Sequence, residues 1–496
     1  MSFLVQRRRP ESAGYVDSVS EGRVRGWAYD RARPRRRLAL EVYAAGGRVG
    51  VVRAELFRQD LANAGIGDGR YGFDFELPDK SIHPETVSVK VGESDFWLFN
   101  HAAATILERS SSELMNSVRK GLPILRPGLS FRALDALDVE IASQLQREWR
   151  PLAATKGSND FIGRKSMWES IAASRHRPLL DLLMGSDPRA VAEHLVNMQK
   201  YAASEGLSQG ELAYRDFVDA SPDGRRAAIV PFHDMLASLA QYLAVMPGEG
   251  AEYGADGNAI AASSDELAAR IERALGVCVV PETIFDGLFG LMIRGRILHG
   301  RDIQALYAAL RAIEASALAR PRICEIGGGL GKVAYNAWML GVHRYSIVDL
   351  PTVSAMQYFA LRRTLPEVEV RFSHPAVADS GRDGIDLFFA SHMLSGVRLP
   401  CDIVLNCDSF PELGDEICRK YFSIIRHWAP LLLSINQETN KEIRGPADRQ
   451  VIVGALLPEF GFNRLYRFRS WIRKGYVEEL WSTQSKSDNA ERRAAI

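Results

Sequence analysis

Glu325, Gly327, Gly329, Gly331 and Asp349 have the types and spacing of a ligand-binding turn. They lie in RICEIGGGLGKVAYNAWMLGVHRYSIVDLP, residues 322–351. A carboxylate ends an apolar run, glycines follow at alternate positions, and a second carboxylate ends the next apolar run 24 residues after the first. Such glycines let the backbone bend sharply and approach a ligand closely. A nicotinamide-dinucleotide fingerprint would need its third glycine at 332, where the chain has Lys332. An acidic strand end would also repel a pyrophosphate and attract a cation. A carboxylate at 349 can accept hydrogen bonds from both hydroxyls of a ribose. The pattern therefore favours a nucleoside with an ammonium, a sulfonium and no phosphate, which is S-adenosylmethionine rather than NAD.

Two further strand ends are polar. NCDSFPEL supplies Asn406, Asp408, Ser409 and Glu412, and NQE supplies Asn436, Gln437 and Glu438. Burying such groups without partners is costly, and amides and carboxylates suit a polyhydroxylated substrate. A hydroxyl becomes a good nucleophile only as its proton leaves, so a general base is expected within hydrogen-bond reach. Asp408 is the first candidate for this catalytic role and Glu438 the second. Glu412, Asn436, Gln437 and His392 are expected to bind substrate, with His427 behind them. Helix capping is the competing reading of Asp408 and Asn436. A divalent cation held by Asp408, Glu412 and Glu438 stays open, but their spacing is not a metal signature and no metal site is assigned.

Three kinds of sequence surround these residues. Over 12–105, RLALEVY, YGFDFELP and TVSVKVG alternate apolar and polar positions between turn residues, which predicts a small antiparallel β-sandwich with Trp27 in its core. Over 108–320 the apolar spacing is helical. Ser263 to Glu266 reads as a capping box, Gly276 as the end of that helix, and 246–262 as a Gly/Ala-rich loop. His194, His233 and His299 read as core or surface groups rather than ligands. This region is expected to cover the substrate side. Over 321–484, strands alternate with helices and close on a hairpin, FNRLYRFRSWIRKGYVEELWST. That order predicts an α/β fold with a mostly parallel sheet and helices on both faces. The last fifteen residues read as a disordered tail.

Composition narrows the function classes. The chain has 496 residues, 46% of them hydrophobic, and a net charge of +1, so two or three domains and no polyanionic partner such as nucleic acid are expected. The five cysteines lack paired spacing, which argues against a disulfide framework or a zinc site. No apolar leader opens the sequence and no run is long enough to span a bilayer, so a cytoplasmic location is expected.

Two stretches resemble known families. CEIGGGLGKVAY, YSIVDLP, NCDSFPEL, SINQE and RKGYVEELW, with the upstream PETIFDGLFGLMIRGRILHGRDIQALYAAL, resemble the sugar O-methyltransferase family of bacterial polysaccharide clusters. The resemblance covers about 140–484. It implies a class I methyltransferase domain with a Rossmann-like, seven-stranded sheet, and methyl transfer from S-adenosylmethionine to a sugar hydroxyl of a sugar or oligosaccharide. FSHPAVADSGRDGIDLFFASHMLSGVRLP departs from the family pattern, which leaves the adenine contact unassigned. GYVD, GRVRGWAYD and RAELFRQDLANAGIGDGRYGFDFELP resemble a β module appended to bacterial glycosyltransferases and methyltransferases of surface-polysaccharide synthesis. A glycan-binding scaffold with a degenerate methyltransferase domain is the alternative. The sequence leaves open whether the chain forms a homo-oligomer.

Overall fold

A computed structural model describes residues 12–100 (apart from 45–46, 83, 93 and 95), 133–155, 168, 171, 174–198, 201–247 (apart from 205 and 208–209), 262–280, 289–373, 382–393, 399–439 and 450–483. The loop expected at 246–262 and the tail expected at the C-terminus lie almost wholly outside these residues. The chain groups into two compact units that interleave along the sequence. One comprises 1–127, 216–280 and 288–303; the other comprises 128–215, 281–287 and 304–496. The stretch read as one helical region contributes to both.

The first unit holds eight strands: β1 (Ser12–Ser20), β2 (Arg23–Asp30), β3 (Ala39–Ala44), β4 (Gly47–Arg53), β5 (Leu56–Phe57), β6 (Arg70–Glu76), β7 (Val87–Val91) and β8 (Trp97–Asn100). They form one continuous sheet in the order β4-β3-β7-β8-β1-β2-β6-β5. β8 joins the two halves, antiparallel to β7 and parallel to β1. Val16, Val24 and Ala28 of one half share a core with Leu40, Val42, Val87 and Val89 of the other. Alternation places Val24, Gly26 and Ala28 inward, so Trp27 is only half-buried and lies edge-on to Tyr15. It is not the core anchor expected. The unit also holds β9 (Leu291–Ile293) and β10 (Arg296–Leu298), a short antiparallel hairpin. The helix Ser264–Leu275 begins where predicted, with Ser263 Oγ accepting from the Glu266 amide at 3.1 Å, and ends at left-handed Gly276. His233 is buried, with Nε2 3.0 Å from the Ala262 carbonyl oxygen and Nδ1 without a hydrogen-bond partner among the described residues.

The second unit is built on β11 (Arg322–Ile326), β12 (Arg344–Asp349), β13 (Val370–Phe372), β14 (Gly384–Phe389), β15 (Ile403–Cys407), β16 (Leu431–Gln437), β17 (Asn463–Arg469) and β18 (Tyr476–Ser482). Their order is β13-β14-β12-β11-β15-β16-β18-β17. The first six are parallel, and β18 and β17 return antiparallel. The sheet thus has eight strands rather than the seven expected. The unforeseen one is β14, which lies within the stretch that departs from the family pattern. β14 is buried along nearly its whole length, so it lacks the alternation that marks a half-exposed strand.

Helices cover both faces of this sheet. Residues Pro351 to Leu361 of the helix Pro351–Thr364 are all buried. The helix Ala136–Ala153 packs on it: Trp149 Nε1 donates to the Pro351 carbonyl at 2.8 Å, and Tyr358 donates to Glu148 at 3.2 Å while stacking on Phe372. The opposite face packs Cys324, Ile326, Phe410, Phe422, Trp428 and Trp481 into one core. Among the described residues no helix is long and apolar enough to cross a membrane.

Candidate functional site

β11 has β12 on one side and β15 on the other, so the strand order reverses at its carboxyl end. Open α/β sheets hold ligands at such a point. The glycine turn stands there. Gly327, Gly329 and Gly331 have φ of +75°, +55° and +77°, a region that side chains other than glycine rarely adopt. Gly327 is doubly required: a Cβ there would lie 2.3 Å from Ser409 Oγ. Ser409 Oγ donates to the Ile326 carbonyl at 2.9 Å, and Asn406 Nδ2 donates to the same oxygen at 2.8 Å. The turns after β11 and β15 are thereby locked together. At Gly329 a Cβ would meet nothing within 4 Å, which leaves this backbone open to a ligand.

Asp349 ends β12 beside this turn and is partly exposed. Its Oδ1 accepts from the Leu350 amide at 2.8 Å, and its Oδ2 accepts from Gln357 Nε2 at 2.8 Å. The Gly328 and Gly329 amides also bond to it, yet burial wins and raises its pKa to about 7. Gln357 donates to the Gly329 carbonyl at 3.0 Å as well, so one amide ties Asp349 to the glycine turn. Sequence reasoning missed Gln357. The available signal was a polar residue at the centre of a helix whose neighbours are almost all apolar.

Glu325 is 1% exposed, and its Oε2 accepts from the Tyr345 hydroxyl at 2.9 Å. Burial, reinforced by the charge of Asp349 and opposed by the Tyr345 hydrogen bond, raises its pKa to about 8. Strand alternation explains the placement. Cys324 and Ile326 join the core on one face, and Glu325 points to the other. Glu325 supports the turn from beneath, and Asp349 is the carboxylate at its opening.

The acceptor-side candidates divide by the hydrogen bonds they make. Asn406 and Asn436 are buried and bonded, Asn436 Nδ2 donating to Asn406 Oδ1 at 3.0 Å and to Ser434 Oγ at 2.8 Å. They fasten β15 to β16, and Asn436 Oδ1 is buried with no hydrogen-bond partner among the described residues. Asp408 does not cap the helix Ser409–Leu413. Its backbone has φ +69° and ψ −35°, a strained conformation of the kind that clusters at functional sites. Arg473 Nη1 donates to both of its oxygens, at 2.7 and 2.6 Å. Glu438 is paired with Arg467 through two bonds of 2.8 and 2.7 Å, which hold its carboxyl below the usual range. Glu412 accepts from Trp168 Nε1 at 3.2 Å, and Gln437 Oε1 accepts from the Thr439 amide at 2.6 Å. The His392 side chain lies outside the described residues, and His427 is exposed. The arginine partners of Asp408 and Glu438 also escaped the sequence reading, because they lie 65 and 29 residues away along the chain.

Among the described residues, no three His, Cys, Asp or Glu side chains gather as metal ligands. All five cysteines are free thiols.

No protein-family description matches the chain, and no curated protein matches it. Solved structures do match part of it. A glycopeptide N-methyltransferase complexed with sinefungin is 17% identical, over 36% of this chain and 93% of that one, with a TM-score of 0.27. An O-methyltransferase family protein from Burkholderia thailandensis is 17% identical, over 38% and 60%, with a TM-score of 0.25. A ribosomal-protein methylase from Lactobacillus delbrueckii subsp. bulgaricus is 15% identical, over 37% and 80%, with a TM-score of 0.25. At such scores nothing about this chain's chemistry follows from them.

Proposed function

We infer that the chain is an S-adenosylmethionine-dependent O-methyltransferase whose acceptor is a sugar hydroxyl. The observation that carries this reading is the turn of three left-handed glycines beside a partly exposed Asp349, at the point where the strand order reverses. The residues present fit the cofactor. Asp349 offers a carboxylate to two ribose hydroxyls, and a Cβ at Gly329 would meet nothing within 4 Å. The sugar acceptor and a role in bacterial surface polysaccharide rest on the resemblance of NCDSFPEL, SINQE and RKGYVEELW to the sugar-modifying family.

Bound there, S-adenosylmethionine would supply an electrophilic methyl group on a sulfonium. The protein's part is to bring the acceptor oxygen in line with that methyl group and to remove the hydroxyl proton as the carbon–oxygen bond forms. Asp408 is the group we assign to the proton. It follows β15, the strand next to β11, and Arg473 fixes its orientation. Glu438, held as a carboxylate by Arg467, is the second candidate. The locked Asn406–Ser409 cluster keeps this strand end in fixed register with the glycine turn.

The test is incubation with S-adenosylmethionine and a panel of nucleotide sugars and oligosaccharides, read by mass. A gain of one methyl group on at least one saccharide is expected. Methyl transfer to protein or lipid acceptors, with none to any saccharide, would overturn the sugar assignment.

A further inference from the structure

The turn between β17 and β18, residues 470–475, lies at the carboxyl ends of the parallel strands. β18 runs antiparallel to β16, and Tyr476 at its start pairs with Gln437 at the end of β16. Arg473 projects from this turn onto Asp408. Only its Nη1 is used there; Nε and Nη2 make no hydrogen bond among the described residues. Its guanidinium carbon lies 3.6 Å from the centre of the Tyr476 ring, which fixes the plane of the group. The half-buried arginine thus presents one edge, with two parallel N–H groups, in a set orientation. That edge matches two oxygens of a phosphoryl or carboxylate group.

The charges around it favour an anion. Asp408 offsets Arg473, and Glu438 and Glu479 offset Arg467 and Arg464. Arg469 and Lys474, both exposed, make no ion pair among the described residues. They leave the turn with excess positive charge on a chain of net charge +1.

We propose that the free edge of Arg473, aided by Arg469 and Lys474, binds an oxyanion carried by the acceptor, so the substrate is an acidic sugar rather than a neutral one. The anion is a phosphoryl ester or a sugar carboxylate. This deepens the methyltransferase reading and rests on it. Asp408 has two parts here, aligning Arg473 and taking the proton, while Arg473 binds and does no chemistry.

The full chain, labelled with ¹⁵N-arginine and saturated with S-adenosylhomocysteine, provides the test. The Arg473 Nε resonance, assigned by its loss in Arg473→Lys, is followed during titration with inorganic phosphate, acetate and glucose, with chloride at matched ionic strength. A saturable shift with phosphate or acetate, absent with glucose and chloride, is expected; the anion that moves it distinguishes phosphoryl from carboxylate recognition. In calorimetry Arg473→Gln should weaken binding of the effective anion at least tenfold and leave S-adenosylhomocysteine affinity unchanged. No saturable shift with either anion, or one equal to that with chloride, overturns the proposal. Failure of S-adenosylhomocysteine to bind the wild type overturns the methyltransferase reading instead.

Discussion

Asp408→Asn should lower the single-turnover rate of methyl transfer by about 10²–10⁴-fold, as loss of a general base does. The substitution keeps the shape and one hydrogen bond to Arg473 and removes the basic oxygen. Cofactor affinity should hardly change, because the cofactor contacts assigned here come from the β11 and β12 strand ends. Glu438→Gln should show the same loss if Glu438 shares the role, or a raised acceptor KM if it only holds the sugar. Wild-type turnover in both variants would move the base to another residue, with His392 next.

Glu478→Ala should cost the second unit about 3–5 kcal/mol, the range for breaking a buried ion pair from one side. Glu478 is fully buried. It accepts from the Tyr307 hydroxyl at 2.7 Å, from Arg311 Nε at 2.8 Å and from the Tyr466 hydroxyl at 2.8 Å. One carboxylate therefore ties the helix Gly300–Ser316 to the β17–β18 hairpin. Removing it takes the buried carboxylate from the Arg311 guanidinium, whose side chain is only 12% exposed, and from the Tyr307 and Tyr466 hydroxyls. The comparison is Arg419→Ala, whose pairs with Asp415 and Glu459 lie in solvent and should be worth no more than about 1 kcal/mol. Urea unfolding followed by near-ultraviolet circular dichroism would measure both. A similar loss in the two variants would mean that the Glu478 network contributes no more than a surface pair.

What could be read from the sequence was local, and what could not depends on distant contacts. The glycine turn was legible because backbone geometry allows few other residues at Gly327, Gly329 and Gly331, and because the strand before and the helix after are close in sequence. The closing hairpin was legible for the same reason. β14 was missed because a strand buried on both faces loses its period-two pattern. Glu325 was legible as an acidic strand end, but its burial and its bond from Tyr345 follow from strand alternation and tertiary packing. Asp408 was recognised as a polar strand end, but its strained backbone and its hold on Arg473 follow only from tertiary structure. Gln357 carries no motif at all; its meaning comes from the burial of the whole helix around it.

The most direct measurement is a calorimetric titration of S-adenosylmethionine, S-adenosylhomocysteine and NAD into the wild type and Asp349→Ala, repeated from pH 6 to pH 9. The account predicts saturable binding of the first two ligands and none of NAD. Asp349→Ala should weaken that binding by about 1–3 kcal/mol, the worth of hydrogen bonds to a charged group. Burial raises the Asp349 pKa to about 7, and its ionised form is the better acceptor for ribose hydroxyls. Wild-type affinity should therefore rise as pH increases through 7 and level off above it, with a flatter profile in Asp349→Ala. Equal affinity in the two proteins, or binding of NAD in place of S-adenosylmethionine, would contradict the assignment.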